Sequence, residues 1–348
     1  MTSAAAAGEG HALVRDPRVS VLLPVRDAEG TLAASLRSVS RQRLEAFECI
    51  VVDDGSRDAS RAVAERHARA DPRFRVISTS PRGLVHALET GLAACRAPFV
   101  ARHDADDWMH RERLALQLRA LDDEEDWAGV GCHVRIFPRA ALGAGMRAYE
   151  RWLASIRTPL DVRREAFVEC PLAHPTLLLR REVLRARGYR EAGWPEDYDL
   201  LLRLLATGCS LGVVPRRLLG WRHGPARLSR RSPVYGAERF TACKAHFLRS
   251  GLLAAHPRYL LWGYGGTGRA LAKALRAHDR HPAAIVELHP GRLGQRIQGA
   301  RVIAPEQLGA PRGTPLLVSV AGAEARTRIR RELARRGWRE CVDYVCAA

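Results

Sequence analysis

The amino-acid sequence predicts an α/β chain built on a doubly wound, mostly parallel sheet, with a second, smaller α/β domain behind it. Short aliphatic runs at residues 19–24, 47–52, 74–78 and 98–102 alternate with helical stretches, and this alternation predicts the first sheet. Near residue 252 the composition resets into a new strand, 259–262, followed by a glycine turn and a helix, which predicts the second domain. At 348 residues the chain also exceeds what one hydrophobic core usually serves. We expect a loose tail over 1–17, a first domain over 18–251 and a second over 252–348.

The elements follow in order. After the first strand, residues 31–41 place Leu32, Leu36 and Val39 on one helical face. The second strand ends at Asp53-Asp54-Gly55-Ser56, a turn that opens into a polar helix. The third strand is followed by a helix over 84–94, and the fourth by a helix over 111–121. The middle segment, about 128–250, is less regular, with strands expected at 128–136 and 176–179 and helices at 198–206 and 234–249. Beyond the glycine turn a further strand is expected at 284–286.

The net charge is +18, from 56 Lys+Arg against 38 Asp+Glu, and only Lys244 and Lys273 are lysines. The arginines are spread along the whole chain instead of forming a basic tail, which favours a bias in composition over a nucleic-acid function. The eight cysteines show no CxxC pair and no framework spacing, so neither zinc nor disulfide stapling is expected, and a reducing cytosol fits. No run approaches the length of a transmembrane helix. Contact with a membrane would be peripheral, on the inner face of the cell membrane.

Four clusters carry the candidate chemistry: Asp53-Asp54, Asp104-Ala105-Asp106 followed by Asp107, Glu196-Asp197, and Arg222-His223. The first two fall immediately after strands, where open α/β sheets bind ligands. Asp-x-Asp in such a loop presents two carboxylates to one hard cation such as Mn²⁺ or Mg²⁺, although the same residues are also good helix caps. Glu196-Asp197 also suits a helix N-terminus through the macrodipole alone.

In this order the clusters resemble the family 2 glycosyltransferases and their GT-A fold. The resemblance covers about residues 18–230. It runs through Val19-Ser-Val-Leu-Leu-Pro24-Val-Arg-Asp27, Ile50-Val-Val-Asp-Asp-Gly-Ser-Arg-Asp58, Val100-Ala-Arg-His-Asp-Ala-Asp-Asp107 with Arg111-Glu-Arg-Leu114, Gly193-Trp-Pro-Glu-Asp-Tyr-Asp-Leu200 and Trp221-Arg-His223. It implies an inverting, metal-dependent transferase that moves a sugar from a nucleotide-sugar donor, a UDP-sugar first, to an acceptor hydroxyl in cell-surface glycan or glycoconjugate synthesis. By the same resemblance Pro24 and Asp27 line the nucleotide cleft and Asp54 contacts the base, with Asp53 bracing the turn. Asp104 and Arg222 join the nucleotide-sugar site. Asp104, Asp106 and His223 are the expected metal ligands, and Asp197 is the expected catalytic base. The family often carries Asn or Tyr where this chain has Val25-Arg26, which leaves the donor base open. Trp108 and Trp194 adjoin site segments and suit either sugar stacking or core packing.

In the C-terminal stretch Gly263, Gly265 and Gly268 satisfy G-x-G-x-x-G after a strand, and Glu287 follows at the end of the next one. A small Rossmann-like module is expected there. Its glycine turn suits phosphate binding at a helix N-terminus or close packing, with packing the first reading. Two other functions compete with the transferase. An NAD-linked oxidoreductase would use this turn but leaves the N-terminal clusters without a purpose, and a non-catalytic glycan- or nucleic-acid-binding protein would use the arginines. The expected partners are therefore a nucleotide-sugar donor and a glycan, lipid-linked or small-molecule acceptor, with no specific nucleic acid.

Overall fold

The computed structural model describes residues 16–225 and 227–348, so most of the expected N-terminal tail lies outside the described residues. The first elements alternate: β1 (Val19–Val25), α1 (Glu29–Ser40), β2 (Phe47–Asp54), α2 (Ser60–Ala70), β3 (Phe74–Thr79), α3 (Leu84–Ala94) and β4 (Phe99–Arg102). Then come β5 (Trp108–Met109), α4 (Arg113–Asp123), β6 (Trp127–Phe137), α5 (Ala144–Ser155), α6 (Pro159–Glu165), β7 (Leu178–Arg180) and α7 (Arg181–Arg187). The chain continues through α8 (Glu196–Ala206), β8 (Ser210–Arg222), α9 (Leu228–Arg231) and α10 (Ala237–Ser250). The last elements are β9 (Arg258–Trp262), α11 (Gly266–Arg276), β10 (His281–Val286), β11 (Arg296–Ile297), β12 (Ala300–Ile303), β13 (Leu316–Val318), α12 (Ala323–Arg335) and β14 (Tyr344–Cys346).

The contacts divide the chain into two compact units. The first takes the chain up to Ala144 together with His174–Gly188 and Arg216–His223. Its eight-stranded sheet has the order β3-β2-β1-β4-β7-β6-β8-β5. β3, β2, β1 and β4 run parallel, whereas β7 is antiparallel to β4, β6 to β7 and β5 to β8. Every residue of β1 is buried, as a parallel strand covered on both faces requires. The carboxyl ends of β1, β2 and β4 therefore lie at one edge of the sheet, where this architecture leaves a ligand crevice.

Two buried side chains of α4 hold the middle of this sheet in place. The Arg113 guanidinium donates to Gln117 Oε1 (2.8 Å) and to the carbonyls of Arg102 (3.0 Å) and Leu177 (3.3 Å). Gln117 in turn donates to the carbonyls of Val130 (3.0 Å) and Thr176 (2.8 Å). Backbone groups of β4, β6 and the 3₁₀ turn His174–Thr176 are thus satisfied from one helix, although all of them are shielded from water.

The second unit takes Gly145–Ala173, Tyr189–Pro215 and the chain from Gly224 onward. The sequence places the break near residue 252, but α6, α8 and α10 group with the second sheet. The reason is packing: Phe167 and Val168, just after α6, join the C-terminal hydrophobic clusters. Glu165 pairs with Arg330 at 2.8 Å, and Lys244 Nζ donates to the Val168 carbonyl at 2.7 Å. The six-stranded sheet has the order β11-β12-β10-β9-β13-β14, parallel except for β11. Tyr259 and Leu261 of β9 face a cluster containing Leu271 and Leu275 of α11, while Trp262 faces one containing Ile329 and Leu333 of α12. Helices thus cover both faces, with the period of two that a strand buried on both sides demands.

Gly129 in β6 shows how closely the first sheet is built. A Cβ there would stand 2.9 Å from the Leu178 carbonyl oxygen of the neighbouring strand. We expect Gly129→Ala to lower stability by about 1–3 kcal/mol through overpacking. A lower urea midpoint with unchanged slope would show it, and a wild-type midpoint would refute it.

Candidate active site

The turns after β1 and β2 are fastened to each other. Asp27, at φ +49°, accepts the Arg57 N–H on Oδ1 (2.8 Å), and its own N–H donates to Ser56 Oγ (3.0 Å). The Ala28 N–H donates to Ser60 Oγ (2.7 Å), the Glu29 N–H to Asp58 Oδ2 (2.9 Å) and the Ala59 N–H to Glu29 Oε2 (2.9 Å). The Asp-Gly-Ser-Arg-Asp run therefore satisfies backbone donors of two loops and the start of α1, as local side-chain bonding by Ser and Asp permits. Burial would raise the Asp58 carboxyl, but hydrogen bonds from Ser60 and the Glu29 N–H hold it below its usual range.

Asp53 and Asp54 are the last residues of β2 and are buried. Asp54 accepts the N–H groups of Arg82 (2.8 Å) and Gly83 (2.9 Å), and Arg26 pairs with it at 3.2 Å. Asp54 thus fastens the loop before α3, while the turn after β2 is braced by Asp53. Asp53 makes one longer bond, from the Ser56 N–H at 3.3 Å. Pro24 is buried in β1 opposite Val52, beyond the last residue that pairs with β4.

After β4 the chain turns through Asp104, Asp106 and Asp107, which offer carboxylate oxygens within 4.8 Å of one another. Three hard oxygen ligands so close together suit a small divalent cation, so these residues fit Mn²⁺ or Mg²⁺. The grouping includes Asp107, which is not among the expected metal ligands, and does not include His223. His223 ends the run after β8, where its N–H donates to the Phe137 carbonyl at 2.7 Å.

Positive charge supports the acidic turn. Arg102 pairs with Asp104 at 2.7 Å, and Ser35 Oγ donates to the Asp104 carbonyl at 2.9 Å. Arg222 donates its N–H to Asp107 Oδ1 and its Nε to the Asp106 carbonyl, both at 2.8 Å, with its guanidinium over the Phe137 ring. Expected in the nucleotide-sugar site, Arg222 is first a brace of the acidic loop. His103 is fully buried, and burial followed by the nearby Arg113 charge pushes its imidazole far down, so it stays neutral. Trp108, the next residue after Asp107, is 47% exposed with its ring edge-on to His110, whereas Trp194 is engaged in the second unit.

In that unit Asp197 stands in the first turn of α8, partly exposed, its Oδ1 accepting the Tyr198 N–H at 2.7 Å. The buried thiol of Cys170 is pushed up by burial and then by the charges of Asp197 and Glu169, so Asp197 shares its surroundings with that pair. Glu196 accepts from the Tyr235 hydroxyl at 2.6 Å. Asp199 has no exposed surface and gathers Arg203 (2.6 Å), Arg190 (2.8 Å) and the Trp194 indole N–H (2.9 Å). The Trp194 ring also leans on His246, 5.2 Å away, so its role is packing and anchoring.

The glycine turn lies wholly in the second unit. Gly263 has φ +91°, and a Cβ on Gly268 would stand 2.2 Å from the Gly263 carbonyl oxygen. Both positions require glycine for the strand and helix to meet.

The family model described as glycosyl transferase family 2 matches residues 20–188, the stretch that holds β1 to β4 and the acidic turn. Residues 20–188 form a glycosyl transferase family 2 domain. This family 2 glycosyltransferase is 38% identical to the EpsH protein of Bacillus subtilis over 110 residues, covering about a third (32%) of each chain. It is 29% identical to the amylovoran biosynthesis glycosyltransferase AmsE of Erwinia amylovora over 61% of this chain and 79% of that one. Among solved structures it resembles S. aureus TarS 1-349 in complex with UDP-GlcNAc, with a TM-score of 0.56 at 17% identity, covering 75% of this chain and 72% of that one. That likeness concerns the fold. No helix among the described residues of the glycosyltransferase is long and apolar enough to cross a membrane.

Asp199 supplies a pH prediction. Burial would raise its carboxyl, but hydrogen bonds from Arg190, Trp194 and Arg203 outweigh this and hold it low. Its stabilisation is complete above the unfolded carboxylate range, about pH 4, and is lost as pH falls through the depressed native value. Asp199→Asn is expected to cost roughly 3 kcal/mol at pH 7, and the gap from wild type should narrow below about pH 4. Urea melts at pH 7 and pH 3 check this, and an equal gap at both would contradict it.

Proposed function

We propose that this family 2 glycosyltransferase moves a sugar from a UDP-sugar to an acceptor hydroxyl with inversion, in the assembly of a cell-surface polysaccharide. The observation that carries the proposal is the Asp104, Asp106 and Asp107 grouping at the carboxyl end of β4. The UDP-GlcNAc held by TarS, and the part AmsE plays in amylovoran biosynthesis, support the donor and the product class.

In this reading Asp104, Asp106 and Asp107 hold a divalent cation, Mn²⁺ or Mg²⁺, with Arg102 and Arg222 fixing the loop that presents them. When bound, the cation supplies Lewis acidity to the leaving diphosphate. The turns after β1 and β2, with Pro24, Asp27 and Asp54, form the nucleotide side of the cleft. Asp197 is the base. It takes the proton of the acceptor hydroxyl as that oxygen bonds to the anomeric carbon, the bond from that carbon to the diphosphate oxygen breaks, and UDP leaves on the opposite face. One bond forms and one breaks, and inversion follows.

Two measurements test this reading. Asp197→Asn keeps the shape of the side chain but removes the proton acceptor, and turnover is expected to fall about 10²–10⁴-fold with UDP affinity retained. Undiminished turnover would remove Asp197 from the reaction. Asp106→Asn is expected to abolish the Mn²⁺-dependent rise in melting temperature that UDP produces in the wild type. A metal-dependent rise of the same size in the variant would place the cation elsewhere.

A further inference from the structure

The second unit carries a crevice of its own, at the carboxyl ends of β9 and β13. In the order β12-β10-β9-β13-β14, the chain steps from β9 to β10 and on to β12 on one side, then crosses to β13 and β14 on the other, so β9 and β13 flank the switch point of the sheet. Open parallel sheets bind ligands at such a point. The turn that follows β9 is Gly263-Tyr-Gly-Gly-Thr-Gly268. The close approaches at Gly263 and Gly268 account for two of its glycines as packing. They do not account for Gly265, where a Cβ would meet nothing within 4 Å, at an ordinary φ of −75°. Gly265, Gly266 and Thr267 are exposed, and α11 begins there with no side-chain cap. Its first-turn N–H groups have no intrahelical acceptors and carry the positive end of the helix dipole.

A second observation, independent of the helix end, comes from β13. Ser319 follows that strand and is only 3% exposed, yet its hydroxyl has no hydrogen-bond partner among the described residues. The hydroxyl lies 3.6 Å from the place a Cβ would take on Gly268, so it faces the first turn of α11 across the switch point. A buried hydroxyl left without a partner is costly, and a phosphate oxygen seated at the turn would satisfy it. Glu287, at the end of β10, is linked to the same turn through Arg292, which pairs with Glu287 at 3.1 Å and donates to the Tyr264 carbonyl at 3.4 Å. An acid at that position suits the hydroxyls of a ribose.

We propose that the second unit binds a ribonucleotide diphosphate, its phosphates on the Gly265–Gly268 turn and the Ser319 hydroxyl and its ribose beside Glu287. This site uses only residues of the second unit and stands whether or not the transferase reading holds. The shared chemistry is a ribosyl diphosphate, which a nucleoside diphosphate or a nicotinamide dinucleotide would supply.

The test is calorimetric titration of the full chain with ADP, UDP and NADH, each in EDTA, on wild type, Asp106→Ala, Gly265→Asp and Ser319→Ala. Aspartate is a favoured N-cap and has open space at position 265, so Gly265→Asp should melt no lower than wild type while its carboxylate opposes an anion. One-site binding of a nucleotide is expected, unchanged in Asp106→Ala and weakened about tenfold or more in Gly265→Asp. Ser319→Ala should weaken it about threefold or more, and this variant decides the matter if Gly265→Asp melts lower. Preference for NADH names a dinucleotide as the ligand; preference for ADP or UDP names a nucleoside diphosphate. No binding in EDTA, binding lost in Asp106→Ala, or wild-type affinity in both second-unit variants would overturn the proposal.

Discussion

The crowding of Asp104, Asp106 and Asp107 at the end of β4 is the constraint on which the first unit depends. Two unit charges about 4 Å apart repel by roughly 4 kcal/mol at the effective dielectric of a protein surface, so three carboxylates within 4.8 Å need positive charge close by. Arg102 supplies it to Asp104 directly, and Arg222 braces the loop through Asp107 and the Asp106 carbonyl. The buried guanidinium of Arg113 lies behind them, tied to the Arg102 carbonyl. Much of the sheet's middle is organised to keep these cations in place, and a divalent ion would complete the balance.

A division of labour among the motif residues follows. Asp27, Ser56, Asp58 and Ser60 spend their side chains on neighbouring backbone, and Asp54 does the same for the loop before α3. These residues fix the turns after β1 and β2 before any ligand arrives, which is the preorganisation a transfer site relies on. In the second unit Asp199 does comparable work for α8. It holds Arg190, Trp194 and Arg203, and so fixes the helix whose first turn presents Asp197.

The parallel half of the fold was legible because its strands are short, aliphatic and separated by amphipathic helices. β8 was not legible, although it carries Arg222 to the acidic turn. Pro215, Arg216 and Arg217 interrupt it with three exposed residues, and a proline inside a run reads as the end of a strand. The glycines around the start of α5 concealed that helix in the same way. Asp107 stands in the same acidic run without being singled out as a ligand, because only the turn of the backbone brings its carboxylate to Asp104 and Asp106. Arg113 and Gln117, four residues apart in α4, were visible as residues, but which carbonyls they satisfy depends on strands distant in sequence. Ser319 carries no sequence signal at all, and its meaning comes from the strand order.

Electron paramagnetic resonance of Mn²⁺ added to the full chain, with and without UDP, tests the central claim most directly. The account predicts a protein-bound Mn²⁺ signal that acquires a phosphorus hyperfine coupling when UDP is added, because Asp104, Asp106 and Asp107 leave positions on the ion for the diphosphate. A spectrum that stays that of the free aqueous ion in the presence of UDP would contradict it.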